Sequence, residues 1–308
     1  MRTTRIAVFA LTLWLPSFAR ADTPQVIADI APVHSLVAQI MDGVGTPELL
    51  LPATASPHDY ALRPSDARRL QNADAVFWVG DALTPWLKAT LETLAADAER
   101  VSLLEAEGTL MLEFREGAVF AEEPSDGTDA HDHDRHSHLG TDPHAWLDPL
   151  NARVWLSAIA AELSRIDPDN AAIYQSNMVE SQKQIDLLLD QLNQDLEPAR
   201  AARFVVLHDG YRYFEDRFGV RALGAISQSD AAAPSAARVK DIRQAMEDAE
   251  VSCLFTEIQL NSPLLTSIAS ETDVKVVALD PLGGQLVPGG ELYDKLMENM
   301  VKSFLSCL

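Results

Sequence analysis

The middle of the chain decides what the rest can be. Between Pro168 and Pro198 there is neither Gly nor Pro, and Ile185, Leu188, Leu189, Leu192 and Leu196 recur at helical spacing. Pro168 suits the first turn of a helix, and Pro198 stops it. The pattern predicts one helix of about 28 residues, roughly 42 Å long. That is too long for a crossover in a small sheet and long enough to run down the side of two lobes. A shorter amphipathic helix over 151–165 precedes it and ends at Asp167-Pro168-Asp169.

On both sides, short β-rich runs alternate with helical patterns. In the first half strands are expected at 25–30, 48–51, 75–79 and 100–104, with helices at 32–41, 64–72 and 84–96. In the second half strands are expected at 203–207, 220–226, 251–256 and 275–279, with helices at 211–218, 235–248, 262–270 and 291–305. Such alternation implies βαβ units and mostly parallel sheets. The expected fold is α/β: two lobes of parallel-sheet βα units (22–166 and 199–308) joined by one long helix (167–198). Residues 113–140 are rich in Glu, Asp, His and Ser, lack periodicity, and read as a mobile surface loop.

The first 21 residues read as a secretory signal peptide. Arg2 and Arg5 form a basic start, Ile6 to Trp14 an apolar core, and Ala19-Arg20-Ala21 a cleavage site, with no following cysteine for a lipid anchor. Cleavage after Ala21 takes the formal net charge from −22 to −25, which disfavours nucleic acid as a partner. Only Cys253 and Cys307 are present. In an oxidising compartment this pair reads as a bridge pinning the last helix to the sheet, rather than as two unpaired thiols.

Eight histidines carry the chemistry. His58, His144 and His208 stand singly, each after an apolar strand-like run, and Asp280 ends the last expected strand. Ligands bind beyond the carboxyl ends of strands in open α/β sheets. Two of the four residues come from each lobe, so a metal would sit in the interlobe cleft. Three imidazoles and one carboxylate suit four-coordinate Zn²⁺. Taken one at a time, a strand-end histidine is more often a hydrogen-bonded structural residue, and Asp280 before Pro281 is a common turn opening. Asp59 and Asp209 could each orient the preceding imidazole or cap the following helix. Trp146, Tyr211, Tyr213 and Phe214 read as walls of the site, and His34 as a structural neighbour. His131, His133, His136 and His138 form a separate His/Asp tract, read either as a weak accessory zinc collector or as an inert solvated segment.

The blocks Ser-Pro-His-Asp-Tyr-Ala-Leu-Arg-Pro-Ser-Asp (56–66), Thr-Asp-Pro-His-Ala-Trp-Leu-Asp-Pro (141–149), Leu-His-Asp-Gly-Tyr-Arg-Tyr-Phe (207–214) and Ala-Leu-Asp-Pro-Leu-Gly (278–283) resemble the signatures of the metal-binding solute receptors of ABC importers. Within that family the chain looks like the zinc-specific, ZnuA-type periplasmic branch. The resemblance implies a monomeric periplasmic receptor that carries Zn²⁺ as cargo to an inner-membrane permease with its cytoplasmic ATPase. It implies His58, His144 and His208 as ligands, Asp280 or a water as the fourth, and a Cys253–Cys307 bridge. A manganese-type receptor of the same family is an alternative. From another class, a secreted zinc hydrolase would need a general base; Glu257 is conceivable but reads as lining the cleft, and no H-E-x-x-H is present.

Overall fold

The computed structural model describes residues 23–120, 140–228, 233–259 and 274–307. The signal segment, the His131–His138 tract and the helix expected at 262–270 lie outside the described residues. Two four-stranded parallel sheets flank a helical layer. The first has the order β2-β1-β3-β4, from β1 (Val26–Ala28), β2 (Glu48–Leu49), β3 (Ala75–Trp78) and β4 (Glu99–Ser102). The second has the order β6-β5-β7-β8, from β5 (Phe204–His208), β6 (Ala222–Ser227), β7 (Cys253–Glu257) and β8 (Lys275–Leu279). The helices are α1 (Ala31–Ile40), α2 (Pro64–Gln71), α3 (Pro85–Leu94), α4 (Pro149–Ile166), α5 (Ala171–Asp195), α6 (Arg212–Phe218), α7 (Ala236–Asp248) and α8 (Leu292–Leu305).

The long central helix is α5, of 25 residues, with 3₁₀ turns at Pro168–Asn170 and Glu197–Ala201. Its ends tighten where the prolines interrupt backbone donation. It buries Tyr174, Ile185, Leu188 and Leu192 and packs on α1 and α4 of the first lobe and α8 of the second.

Strand alternation divides the apolar side chains into three layers. In β1, Val26 and Ala28 face a central core while Ile27 faces an outer cluster with Leu70, Leu87 and Leu91. In β5, Phe204 and Val206 face the same central core while Val205 and Leu207 join Ile226, Ile242 and Leu254 outside. That central core is contiguous from Val26 to Phe304. Parting the lobes would expose it at about 25 cal/mol per Å², so their angle is held by packing rather than left to a hinge.

One expectation is corrected. Residues 113–120, read as part of a mobile loop, are docked on the second lobe. Phe120 N donates to Leu223 O (2.8 Å) and Ala225 N to Ala118 O (3.0 Å), so the stretch runs antiparallel to β6 and covers an edge strand. It lacks apolar periodicity because buried ion pairs, described below, hold it alongside this pairing.

Cys253 and Cys307 are bonded, with Cα atoms 5.8 Å apart, at the start of β7 and just past α8. The bridge therefore sits at the opposite end of the sheet from His208. Closing a loop of 54 residues' separation is worth about 4 kcal/mol at most in the chain-entropy model. Reduction is expected to lower the unfolding temperature while leaving metal affinity unchanged. Calorimetric unfolding and a metal titration, each with and without reductant, check both halves. Among the described residues, no helix is long and apolar enough to cross a membrane.

Candidate metal centre

His208 is the last residue of β5 and Glu257 the last of β7. These strands pair in parallel with Val206 opposite Phe255, so the same register brings His208 opposite Glu257. His208 Nδ1 is hydrogen-bonded to Glu257 Oε1, both groups buried. His144 reaches the same point from the first lobe, just before the 3₁₀ turn Ala145–Leu147. Its Nδ1 lies 2.7 Å from Asp142 Oδ1, which also accepts from the His144 backbone N–H at 3.0 Å. A carboxylate only accepts, so each Nδ1 carries the proton and each Nε2 presents a lone pair.

The two Nε2 atoms face one another at 3.3 Å. Two lone pairs at that separation repel unless a cation lies between them. On a tetrahedral zinc with Zn–N near 2.0–2.1 Å, neighbouring nitrogens stand about 3.3–3.4 Å apart. The pair has that span already. Asp142 and Glu257 behind the rings fix their tautomer and orientation, the arrangement metal-binding imidazoles require.

His58 stands nearby, its ring centroid 5.5 Å from that of His144 and tilted by 60°. Its loop is held where Trp86 Nε1 donates to Pro57 O (2.9 Å) and Gln259 Nε2 to Ala53 O (3.4 Å). Among the described residues no three His, Cys, Asp or Glu side chains meet at metal-holding distance. The His144–His208 pair is assembled, and His58 is its neighbour. Asp280, directly after β8, accepts from Gly284 N (2.8 Å), Gln259 Nε2 (3.0 Å) and Gln285 N (3.1 Å). Its carboxylate organises the turn that follows, leaving only its remaining lone pairs for a metal.

Neither of the two roles open to Asp59 and Asp209, orienting an imidazole or capping the next helix, is what the structure shows, the N-caps being Arg63 and Tyr211. Asp59 is exposed, and Asp209 is engaged by Arg115 rather than by an imidazole. Asp142 and Glu257 hold the rings instead. The Asp-Pro-His spacing was the local signal for Asp142, since Asp side chains bond the backbone two residues on. Glu257 had a weaker signal, a charge closing an apolar strand.

Of the four expected walls, Trp146 and Tyr211 lie against the imidazoles, Tyr213 reaches Asp142 O, and Phe214 packs on Phe218 and Phe304. Trp146, Tyr211, Tyr213 and Phe214 are all buried. Trp146 lies 5.3 Å from His144, and its Nε1 donates across the lobes to Pro281 O (2.9 Å). Tyr211 packs 5.9 Å from His208; burial, reinforced by the Glu257 charge, pushes its hydroxyl pKa far above the ordinary value and keeps it neutral. His34 ties α1 to the chain before β2 through Pro47 O (3.0 Å), and burial pulls its pKa down. It is structural.

The family model for the periplasmic component A of a zinc-uptake complex matches residues 26–307. The chain belongs to that family. The high-affinity zinc uptake system protein ZnuA of Paracoccus denitrificans is 39% identical over 304 residues, covering 94% of this chain and 93% of that protein. Its namesake in Brucella abortus is 35% identical over 312 residues, covering 92% and 91%. A crystal structure of ZnuA is similar at TM-score 0.74 and 23% identity, covering 92% of this chain and 100% of that one. The Pseudomonas aeruginosa protein FpvC, solved with Mn²⁺, is similar at TM-score 0.77 and 20% identity, covering 93% and 98%. At such identities the structural likeness speaks for the fold, and the metal has to be argued from the donor atoms.

Proposed function

We propose that this chain is a periplasmic receptor that captures Zn²⁺ and delivers it to the permease of an ABC importer, acting as a monomer after its leader is removed at Ala21. The carrying observation is the pair of Nε2 atoms from two lobes, 3.3 Å apart and each backed by a buried carboxylate. Imidazole donors suit zinc, whereas manganese favours oxygen donors. The 39% and 35% identical relatives named as zinc uptake proteins support the same cargo. In this reading His58 supplies the third nitrogen, and Asp280 or a water completes the shell. His131, His133, His136 and His138 form a weak outer collector, because a tract without periodic structure must lose conformational entropy to bind.

The placement of Glu257 favours the receptor over the hydrolase alternative. A general base must reach the water on the metal, on the Nε2 side of the ring. Glu257 lies behind His208 at Nδ1, so it steadies a ligand and activates nothing.

The test is metal analysis and competition titration on the mature chain and on a variant lacking residues 129–138. Both should hold one tight zinc, and only the intact chain further weak zinc. No stoichiometric zinc, or tighter manganese than zinc, would overturn the reading. Equal stoichiometry in the two proteins would make the tract an inert linker.

A further inference from the structure

Residues 109–120 leave the first lobe after β4 and end beside β6 of the second, passing Asp142, which lies behind His144, and Asp209, which follows His208 in the chain. At the first fastening, Asn151 brackets Leu110, its Oδ1 accepting from Leu110 N (2.8 Å) and its Nδ2 donating to Leu110 O (3.0 Å). Two residues on, three hydrogen bonds close a ring. Tyr213 OH accepts from Leu112 N (2.8 Å) and donates to Asp142 O (2.9 Å), and Asp142 N donates to Leu112 O (2.9 Å). Asp142 is the residue that holds His144.

At the second fastening, Arg115 forks onto two carboxylates that are each 1% exposed. Its Nε donates to Asp209 Oδ1 (2.9 Å), its two terminal nitrogens reach Glu215 at 2.6 and 2.9 Å, and its backbone N–H donates to Asp209 Oδ2 (3.2 Å). The guanidinium carbon lies 3.7 Å from the Phe120 ring centroid. Asp209 adjoins His208 in the chain. Burial pulls the arginine pKa down, but Glu215 and Asp209 more than reverse this, so the group stays charged.

Leu112 and Arg115 are three residues apart, about 10 Å of extended chain. One short strap is thus fastened at both ends to the segments that carry the two imidazoles. We propose that Arg115 is a positioning residue for zinc: with Tyr213 it locks residues 112–115 as a clasp that sets the separation of His144 and His208. The inference rests on the reading of that pair as the zinc site. Affinity in such a site depends on imidazoles standing at zinc span before the metal arrives. A planar fork fixes direction as well as charge, which an ammonium cannot do.

The experiment uses the mature full chain with Arg115→Lys, Tyr213→Phe and, as a ligand control, His208→Ala. Three quantities are read: zinc affinity by chelator competition, the visible spectrum of the Co²⁺-loaded protein, and the unfolding temperature of the metal-free protein. Arg115→Lys and Tyr213→Phe should each weaken zinc about tenfold, the low end for groups behind metal ligands, and should alter the Co²⁺ bands. A lower unfolding temperature with wild-type affinity and spectrum would reduce the clasp to a stability element and overturn the proposal. Should Arg115→Lys not fold, Tyr213→Phe, which keeps every charge, decides alone by the same criterion. Loss of zinc in His208→Ala alone rejects the clasp and keeps the site. Retention of zinc in His208→Ala rejects the site itself.

Discussion

Replacing His208 by alanine is expected to weaken zinc binding by about two to three orders of magnitude. Apparent binding free energies for zinc held by four ligands run to about 10–16 kcal/mol, or about 3–4 kcal/mol per ligand, and each 1.4 kcal/mol is tenfold. His144→Ala should cost as much, because the two rings are equivalent halves of one 3.3 Å pair. Asp280→Ala should cost less: its carboxylate already accepts three N–H donors, and a water can fill its place on the metal. His58→Ala separates two geometries. A loss equal to that of His208→Ala makes it the third ligand, and unchanged affinity removes it from the shell. Competition calorimetry reads all four. Wild-type affinity in either His144→Ala or His208→Ala would end the assignment.

His208→Ala also strips Glu257 of the N–H it accepts from, and leaving a buried acceptor unsatisfied costs about 1–3 kcal/mol, more when it is charged. The double variant His208→Ala/Glu257→Gln controls for this. It should regain folded-state stability without regaining zinc, showing that the affinity loss belongs to the missing nitrogen.

The elements could be read from the chain because their signals are local. The strands of both lobes lie within the expected runs or overlap them, and the breaker-free stretch between Pro168 and Pro198 became α5 with its terminal turns. His208 at a strand end and His144 beyond Asp-Pro followed from position alone. What could not be read depends on contacts far apart in sequence. Glu257 meets His208 across 49 residues, through strand order β6-β5-β7-β8, which no local pattern specifies. Arg115 finds Asp209 and Glu215 across 94 and 100 residues, so a stretch with every mark of a loop is in fact tied down by charge. Adjacency in sequence leaves Asp209 open to orienting its neighbour's imidazole or capping α6, and it does neither: Arg115 engages it. Successive side chains of an extended chain point to opposite faces, so the residue that follows His208 at the end of β5 is poorly placed to reach behind its ring. The carboxylate that does so comes from the adjacent strand.

Gly210→Ala is expected to weaken zinc binding nearly as much as losing His208 itself, with no change in charge and no loss of a ligand atom. The reason is space, since Gly210 has none of the positive φ that would otherwise demand glycine. A Cβ built there would lie 2.3 Å from His208 Nε2, 2.9 Å from Cε1 and 3.0 Å from Cδ2. The methyl would occupy the edge of the ring that, in the proposed site, faces the metal. In an open site the ring could swing aside at little cost. Here Nδ1 is held by Glu257, Tyr211 and His144 pack within 6 Å, and only 3% of the residue is exposed. Any rotation that relieves the clash therefore breaks the Glu257 bond, turns Nε2 away from its 3.3 Å partner, or both. The metal-free protein should unfold below the wild-type temperature, as His208→Ala does, because the displaced ring gives up its bond to Glu257, while calorimetry should give a zinc affinity lower by about a hundredfold. The Co²⁺ spectrum should lose the intensity of a compact tetrahedral site. If Gly210→Ala binds zinc like the wild type, His208 Nε2 does not face the metal, and the pair on which the site is built is not a pair of ligands.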